Sequence, residues 1–348
     1  MSPPKTNSVK IQLAILDIHH GSDGAAIVVA FNGKRIAVSV FSDHSPQEIV
    51  EDRFIGLLGQ ACAAEDEYEA IIDEVLDVIE NAGMPHCLQV APPLPAPSSS
   101  AETLHSLLYP EILNFRLQAV HGRPTIVPIS ASEAYVELGH PASDLDVDFP
   151  VNDNLPKHPS TQVHILEVLV QAIGVVCRVL VDGEVMLCKT AETGLLDLNM
   201  QRELESLQKV EKARAASFSA SIRVPRLRGY VKYAESGHII GLLREWIPSG
   251  LMDGRGCLRD LDVGKVSRER RRKWGAQLRE TVHQLHEIGL VWGDGKIDNI
   301  VIDKEDNAWL IDFGGGWTQD WVDRDLAGTV EGDEQALRNI VKFLGVDE

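Results

Sequence analysis

Two polar motifs, held apart by two short apolar runs, constrain this chain more than any other feature. The first motif is Trp292-Gly-Asp-Gly-Lys-Ile-Asp-Asn299 and the second is Asp312-Phe-Gly314. Between them, Asn299 to Ile302 and Ala308 to Ile311 read as paired strands around a turn at Asp303 to Asn307. A hairpin of that size folds its ends together, so Asp294, Asn299 and Asp312 are expected to converge. Oxygen ligands gathered in a small cluster suit Mg²⁺ and the phosphates it accompanies. The bland alternative is a polar hairpin whose Asp and Asn residues only make turns.

Composition bounds the rest. The 348 residues are enough for two domains. Hydrophobic content of 44% and charged content of 24% are those of an ordinary globular chain. No apolar run is long enough to span a membrane, and the opening Met-Ser-Pro-Pro-Lys-Thr-Asn-Ser lacks the apolar core of a signal peptide. The 5 cysteines have no paired or metal-binding spacing, so they read as reduced thiols of a cytoplasmic protein. A net charge of −19 argues against nucleic acid as a partner. The charge is uneven. Residues 1–160 hold 8 basic and 22 acidic side chains, whereas residues 161–348 hold 25 and 30. The two halves are therefore expected to be different objects.

Along the chain, Val9 to Asp17 reads as a strand. Ala25 to Phe31 and Arg35 to Phe41, joined by Asn32-Gly33, read as a hairpin. Glu65 to Asn81 has the apolar period of an amphipathic helix with an acidic outer face, and Gly83-Met-Pro85 should end it. Ala91 to Ser100 is a Pro-rich spacer. Phe115 to Ala119 and Thr125 to Ile129 read as further strands. Residues 1–150 are thus expected to form a small acidic α+β domain, with a connector at 151–162. After it, His164 to Val170, Val175 to Val181 and Glu184 to Thr190 read as three strands, the last two turned by Asp182-Gly183. Leu198 to Ala215 and Arg268 to Ile288 read as helices. The second begins Arg-Glu-Arg-Arg-Arg-Lys, against the helix dipole, and is expected to be a solvated face. His283 and His286 on it are expected to pack rather than to bind metal.

Asp294-x-Lys296-x-x-Asn299 followed by Asp312-Phe-Gly314, with the two aspartates 18 residues apart, resembles the catalytic loop and metal motif of the eukaryotic protein-kinase family. The tryptophan before Gly-Asp and the Gly-rich turn after Asp-Phe are similar to kinase-like proteins of fungi. The resemblance covers about residues 163–348. It implies a two-lobed fold, with a small lobe at 163–250 and a shortened large lobe at 251–348. It implies ATP and Mg²⁺ as nucleotide and metal. Asp294 would accept the proton of a substrate hydroxyl and Lys296 would neutralise the transferring phosphoryl group. Asn299 and Asp312 would hold the metal. Lys189 would grip the α/β-phosphates, paired with Glu203; Glu205 is the other candidate. Gly174 and Val176 would cover the nucleotide, and the backbone of Glu245 and Ile247 would meet the adenine edge. Asp333 would brace the catalytic loop.

The chain departs from that pattern in four places. Of the glycines that should close over ATP, only Gly174 is present. Trp292-Gly293 replaces the His-Arg that serves switching by loop phosphorylation. Arg244 stands just before the adenine-contacting segment, where an apolar residue is usual, and either solvent or an acid would receive it. Finally, Gly314-Gly-Gly-Trp-Thr318 suggests a sharp turn in place of a long activation segment and peptide platform. The resemblance therefore implies a phosphotransferase acting on a hydroxyl of a protein or a small molecule. The alternative is a pseudokinase that binds nucleotide, or only scaffolds, without turnover.

Overall fold

The computed structural model describes residues 13–42, 50–63, 68–92, 102–136, 138, 149–171, 174–191, 194–216, 222–250 and 256–346. The fold is α+β. The chain divides into two compact units, one of residues 1–100 with 105–140, the other of 101–104 with 141–348. Residues 93–100 of the expected spacer and residues 141–148 lie outside the described residues, while Ala91 is buried in the first unit's core. Among the described residues, no helix is long and apolar enough to cross a membrane.

The first unit begins with three strands, β1 (Ala14–His20), β2 (Gly24–Phe31) and β3 (Lys34–Phe41), then helices α1 (Val50–Ala63), α2 (Tyr68–Val90) and α3 (Leu104–Leu108), then strands β4 (Ile112–Val120) and β5 (Arg123–Pro128). Its sheet has the order β1-β2-β3-β4-β5. Asn32 and Gly33 turn β2 into β3 with φ of 48° and 75°. Positive φ at both turn positions matches the twist of antiparallel strands. β3 and β4 run parallel, which a tight turn cannot connect, so the helices form the crossover. α1 buries Phe54, Leu57, Leu58 and Ala61, a single stripe at helical spacing. The stop expected at Gly83-Met-Pro85 is absent, and α2 runs on to Val90. Cys87 joins Val75 and Ile79 in the same core, so tertiary burial outweighs the local helix-breaking residues. The first strand starts at Ala14, and residues 9–12 of its expected range lie outside the described ones.

The second unit opens on a six-stranded sheet. Its strands are β6 (Lys157–Pro159), β7 (His164–Gln171), β8 (Gly174–Val181), β9 (Glu184–Ala191), β10 (Leu227–Lys232) and β11 (Ile239–Glu245), with α4 (Leu198–Ala215) between β9 and β10. The order is β6-β10-β11-β9-β8-β7. Residues 157–159, expected within a connector, instead add a parallel edge strand to β10. α4 is started by Asp197, whose carboxylate accepts from the amides of Asn199 at 2.8 Å and Met200 at 3.4 Å. Such a cap is worth about 1 kcal/mol. Then follow α5 (Arg268–Glu287), the hairpin β12 (Ile300–Ile302) and β13 (Ala308–Leu310), and α6 (Val330–Phe343).

α5 buries Trp274, Leu278, Val282 and Leu285, which share one core with Ile300, Leu310 and Ile340. Each fully buried side chain of this size contributes roughly 1.5–3 kcal/mol. The basic start of α5 is not a purely solvated face. Arg270 donates to Asp306 through Nε at 2.9 Å and a terminal nitrogen at 2.6 Å. Arg271 donates to the Leu344 carbonyl. The hairpin turn and the last turn of α6 thereby supply the negative ends that the helix start lacks.

Candidate functional site

The hairpin closes with Asp294 and Asn299 in contact and Asp312 in a separate cluster with Lys189. Ile311 donates its amide to the Asn299 carbonyl at 3.0 Å, which sets the segment after β13 beside the loop before β12. Two polar clusters form at this end of the hairpin.

The first cluster surrounds Asp294, which is buried. Lys296 donates to its Oδ2 at 2.6 Å. Asn299 donates through Nδ2 to the same oxygen at 3.1 Å and to the Asp294 carbonyl at 2.9 Å. Two acceptors on Asp294 fix the Asn299 amide with its nitrogen inward, so its oxygen faces away. The Thr318 hydroxyl donates to Asp294 Oδ1 at 3.1 Å and accepts from Lys296 at 3.0 Å. Thr318 was read only as the end of a sharp turn. The signal for it was spatial: Gly316, with φ of 149°, brings the turn back so closely that a Cβ there would lie 3.3 Å from the Asp294 carboxyl.

The second cluster centres on Lys189 of β9. Its ammonium donates to Glu203 of α4 at 2.5 Å and to Asp312 at 3.0 Å. Glu203 is only 1% exposed, whereas the rival Glu205 lies on the exposed face of the helix. Burial works against the Lys189 charge, but Glu203 and Asp312 outweigh it and raise the pKa. Asp312 sits in the left-handed region with φ of 63°, which costs energy for a residue with a Cβ. Burial alone would raise its carboxyl. The Lys189 charge and hydrogen bond, with the Gly314 amide and Arg244, hold it below the ordinary value.

A cavity of about 230 Å³ opens beside this pair, and its lining includes Val176, Lys189, Arg244, Trp246, Ile247 and Asp312. Of the residues expected around a nucleotide, Val176, Lys189, Glu203 and Ile247 line it. Gly174 and Glu245 do not. Gly174 is needed elsewhere, because a Cβ there would meet the Thr190 carbonyl oxygen at 2.5 Å. The Glu245 amide is already given to the Arg226 carbonyl at 2.8 Å. Residues 172 and 173 of the expected covering loop lie outside the described ones. A larger cavity, about 580 Å³, flanks the same segment and is lined by Arg202, Glu205, Trp292, Phe313 and Gly315 among others.

Arg244 turns to neither of its expected destinations. It is 7% exposed, its Nε is buried without a hydrogen-bond partner, and both nearby acids make their ion pairs with Lys189 instead. Burial lowers its pKa, opposed by the charges of Glu203 and Asp312.

The loop carrying Asp294 is held from α6. Asp333, 2% exposed, accepts the amides of Trp292 at 2.8 Å and Gly293 at 2.9 Å. It also lies 2.9 Å from His286 Nε2. His286 thus has a polar partner rather than a purely packing role, and His283 lies 3.2 Å from Glu334.

No family model and no curated protein matches this chain.

The donor set allows a test for metal. Among the described residues, no group of three or more His, Cys, Asp or Glu is placed to hold an ion, so there is no all-protein cage. Mg²⁺ does not require one, since it is commonly held by one or two carboxylates together with waters and substrate phosphates. The half-buried Asp312 carboxylate and the amide oxygen of Asn299 are hard donors of that kind. The residues present fit such an ion.

Proposed function

We propose that this chain is a Mg²⁺-dependent phosphotransferase with a two-lobed, protein-kinase-like fold. It would move the γ-phosphate of a nucleoside triphosphate, ATP by the resemblance, to a hydroxyl of a protein or a small molecule. One observation carries the reading. Lys189 joins Glu203 and Asp312, residues distant in the chain, at the mouth of a cavity, while Asp294 keeps its own cluster at the same end of the hairpin. A purely structural hairpin has no need to gather three acids, two lysines and an amide there.

In this reading Lys189 orients the phosphates and Glu203 fixes the lysine. Asp312 and Asn299 would hold Mg²⁺, which when bound offsets phosphate charge. Asp294 orients the acceptor hydroxyl and takes its proton as the new O–P bond forms and the bond to the leaving diphosphate breaks. Lys296 would neutralise the phosphoryl oxygens. Transfer of this kind needs alignment and charge neutralisation more than covalent help.

A second reading, a nucleotide-binding or scaffolding module without turnover, is favoured by the buried Arg244 in the cavity and by the scarcity of glycines before β8. The two are separated by measuring the thermal shift with nucleotide and Mg²⁺ and then nucleotide turnover. Under the first reading both respond, and Asp294→Asn lowers turnover by about 10²–10⁴-fold while the thermal shift survives. Unchanged turnover in that variant removes Asp294 from the mechanism. A shift without turnover on any acceptor favours the module.

A further inference from the structure

Arg244 is the polar group in this cavity that the reading above leaves without a task. It is more than nine-tenths buried, lines the cavity, and has no hydrogen-bond partner at Nε. In β11 it pairs across the sheet with Leu187, two residues along β9 from Lys189. It therefore lies one same-face cross-strand row from Lys189, on the side of Trp246 and Ile247, which line the same cavity. A buried guanidinium needs acceptors, because it carries five N–H donors and no acceptor. Glu203 and Asp312 make their ion pairs with Lys189, so a ligand in the cavity can supply the acceptor that Arg244 Nε lacks.

We infer that Arg244 selects a 6-oxopurine nucleotide, guanine or hypoxanthine, over an adenine nucleotide. The inference rests on the nucleotide reading proposed above. Along its N7 edge a 6-oxopurine offers two adjacent acceptors, O6 and N7, which match the fork of an arginine. Adenine offers the N7 acceptor beside the N6 amino donor, so one arm of the fork would face a donor. A glutamine, with one donor and one acceptor, matches the adenine edge instead.

The test is equilibrium binding of GTP, ITP, ATP and inorganic triphosphate to the full chain with Mg²⁺. The expected result is that GTP and ITP bind tighter than ATP by roughly 5- to 150-fold, the usual discrimination of one bidentate arginine contact. Arg244→Met should erase that preference, and Arg244→Gln should turn it toward ATP. Equal affinity for GTP and ATP, or tighter ATP binding, overturns the inference and leaves the phosphotransferase reading standing. So does inorganic triphosphate binding as well as GTP, since Arg244 would then be gripping phosphate. A preference for GTP that persists in Arg244→Met removes Arg244 as its cause. If no nucleotide binds at all, the underlying reading fails with it. The wild-type comparison decides even if both variants misfold.

Discussion

At the scale of single residues, the site is a set of acids with different duties. Asp294 accepts from three donors, Lys296, Asn299 and Thr318, whereas Asp312 spends one oxygen on Lys189. That difference separates their expected phenotypes. Asp312→Ala should lose the Mg²⁺-dependent part of nucleotide affinity, and titrations with and without Mg²⁺ that coincide with wild type would remove it as a ligand. The residues of the two motifs were legible because each lies at a fixed offset from its neighbours along one loop or strand. Thr318 was not, and Arg244 was legible in its place but not in its burial. One is delivered by a turn whose path depends on Gly316, and the other by its register opposite Leu187 of β9. Neither direction is written in a local period.

At the scale of elements, α6 and the β12–β13 turn act as clamps. Asp333→Ala strands two backbone donors at Trp292 and Gly293, at a cost of about 1–3 kcal/mol for each one left buried without an acceptor. The denaturation midpoint should fall accordingly, and Asp333→Asn, which keeps one acceptor oxygen, should fall less. Equal midpoints for Asp333→Ala and wild type would mean that the loop is held by other contacts. The turn makes a pH prediction. Burial alone would raise the Asp306 carboxyl, but Arg270 and, less strongly, Lys273 lower it below its reference of 3.8. A carboxyl depressed on folding stabilises the protein above its unfolded pKa, and that contribution fades as pH falls through the folded value. The stability gap between wild type and Asp306→Asn should be constant from about pH 7 to 5 and narrow below about pH 4. Denaturant midpoints across that range would reveal a gap that ignores pH and so dismiss the pair. Most long elements were readable from apolar period. The exceptions are informative: α2 outruns its breakers because Cys87 has a core to join, and β6 and β10 are too short or too mixed to show alternation.

At the scale of the whole molecule, the two units carry separate cores. All 6 tryptophans, at 246, 274, 292, 309, 317 and 321, belong to the second. Tryptophan fluorescence therefore follows that unit alone, while far-ultraviolet circular dichroism follows both. Nucleotide with Mg²⁺ at 100 times Kd should add about 2.7 kcal/mol to the unit that binds it, or about 5–10 °C in the fluorescence midpoint. Part of the dichroism transition should stay in place. A single transition that moves in both signals would show that the cores melt together. The acidic first unit gave no chemistry to sequence reading, and its sheet and helices explain why: its period serves burial throughout. The shared position of Lys189 has one last consequence. Under the proposed reading, a phosphate that draws this ammonium toward itself would free Asp312 for a cation, and a cation on Asp312 would free the ammonium for phosphate. Each arrival would then favour the other, so the Lys189–Asp312 pair would take up cation and nucleotide most readily as one complex.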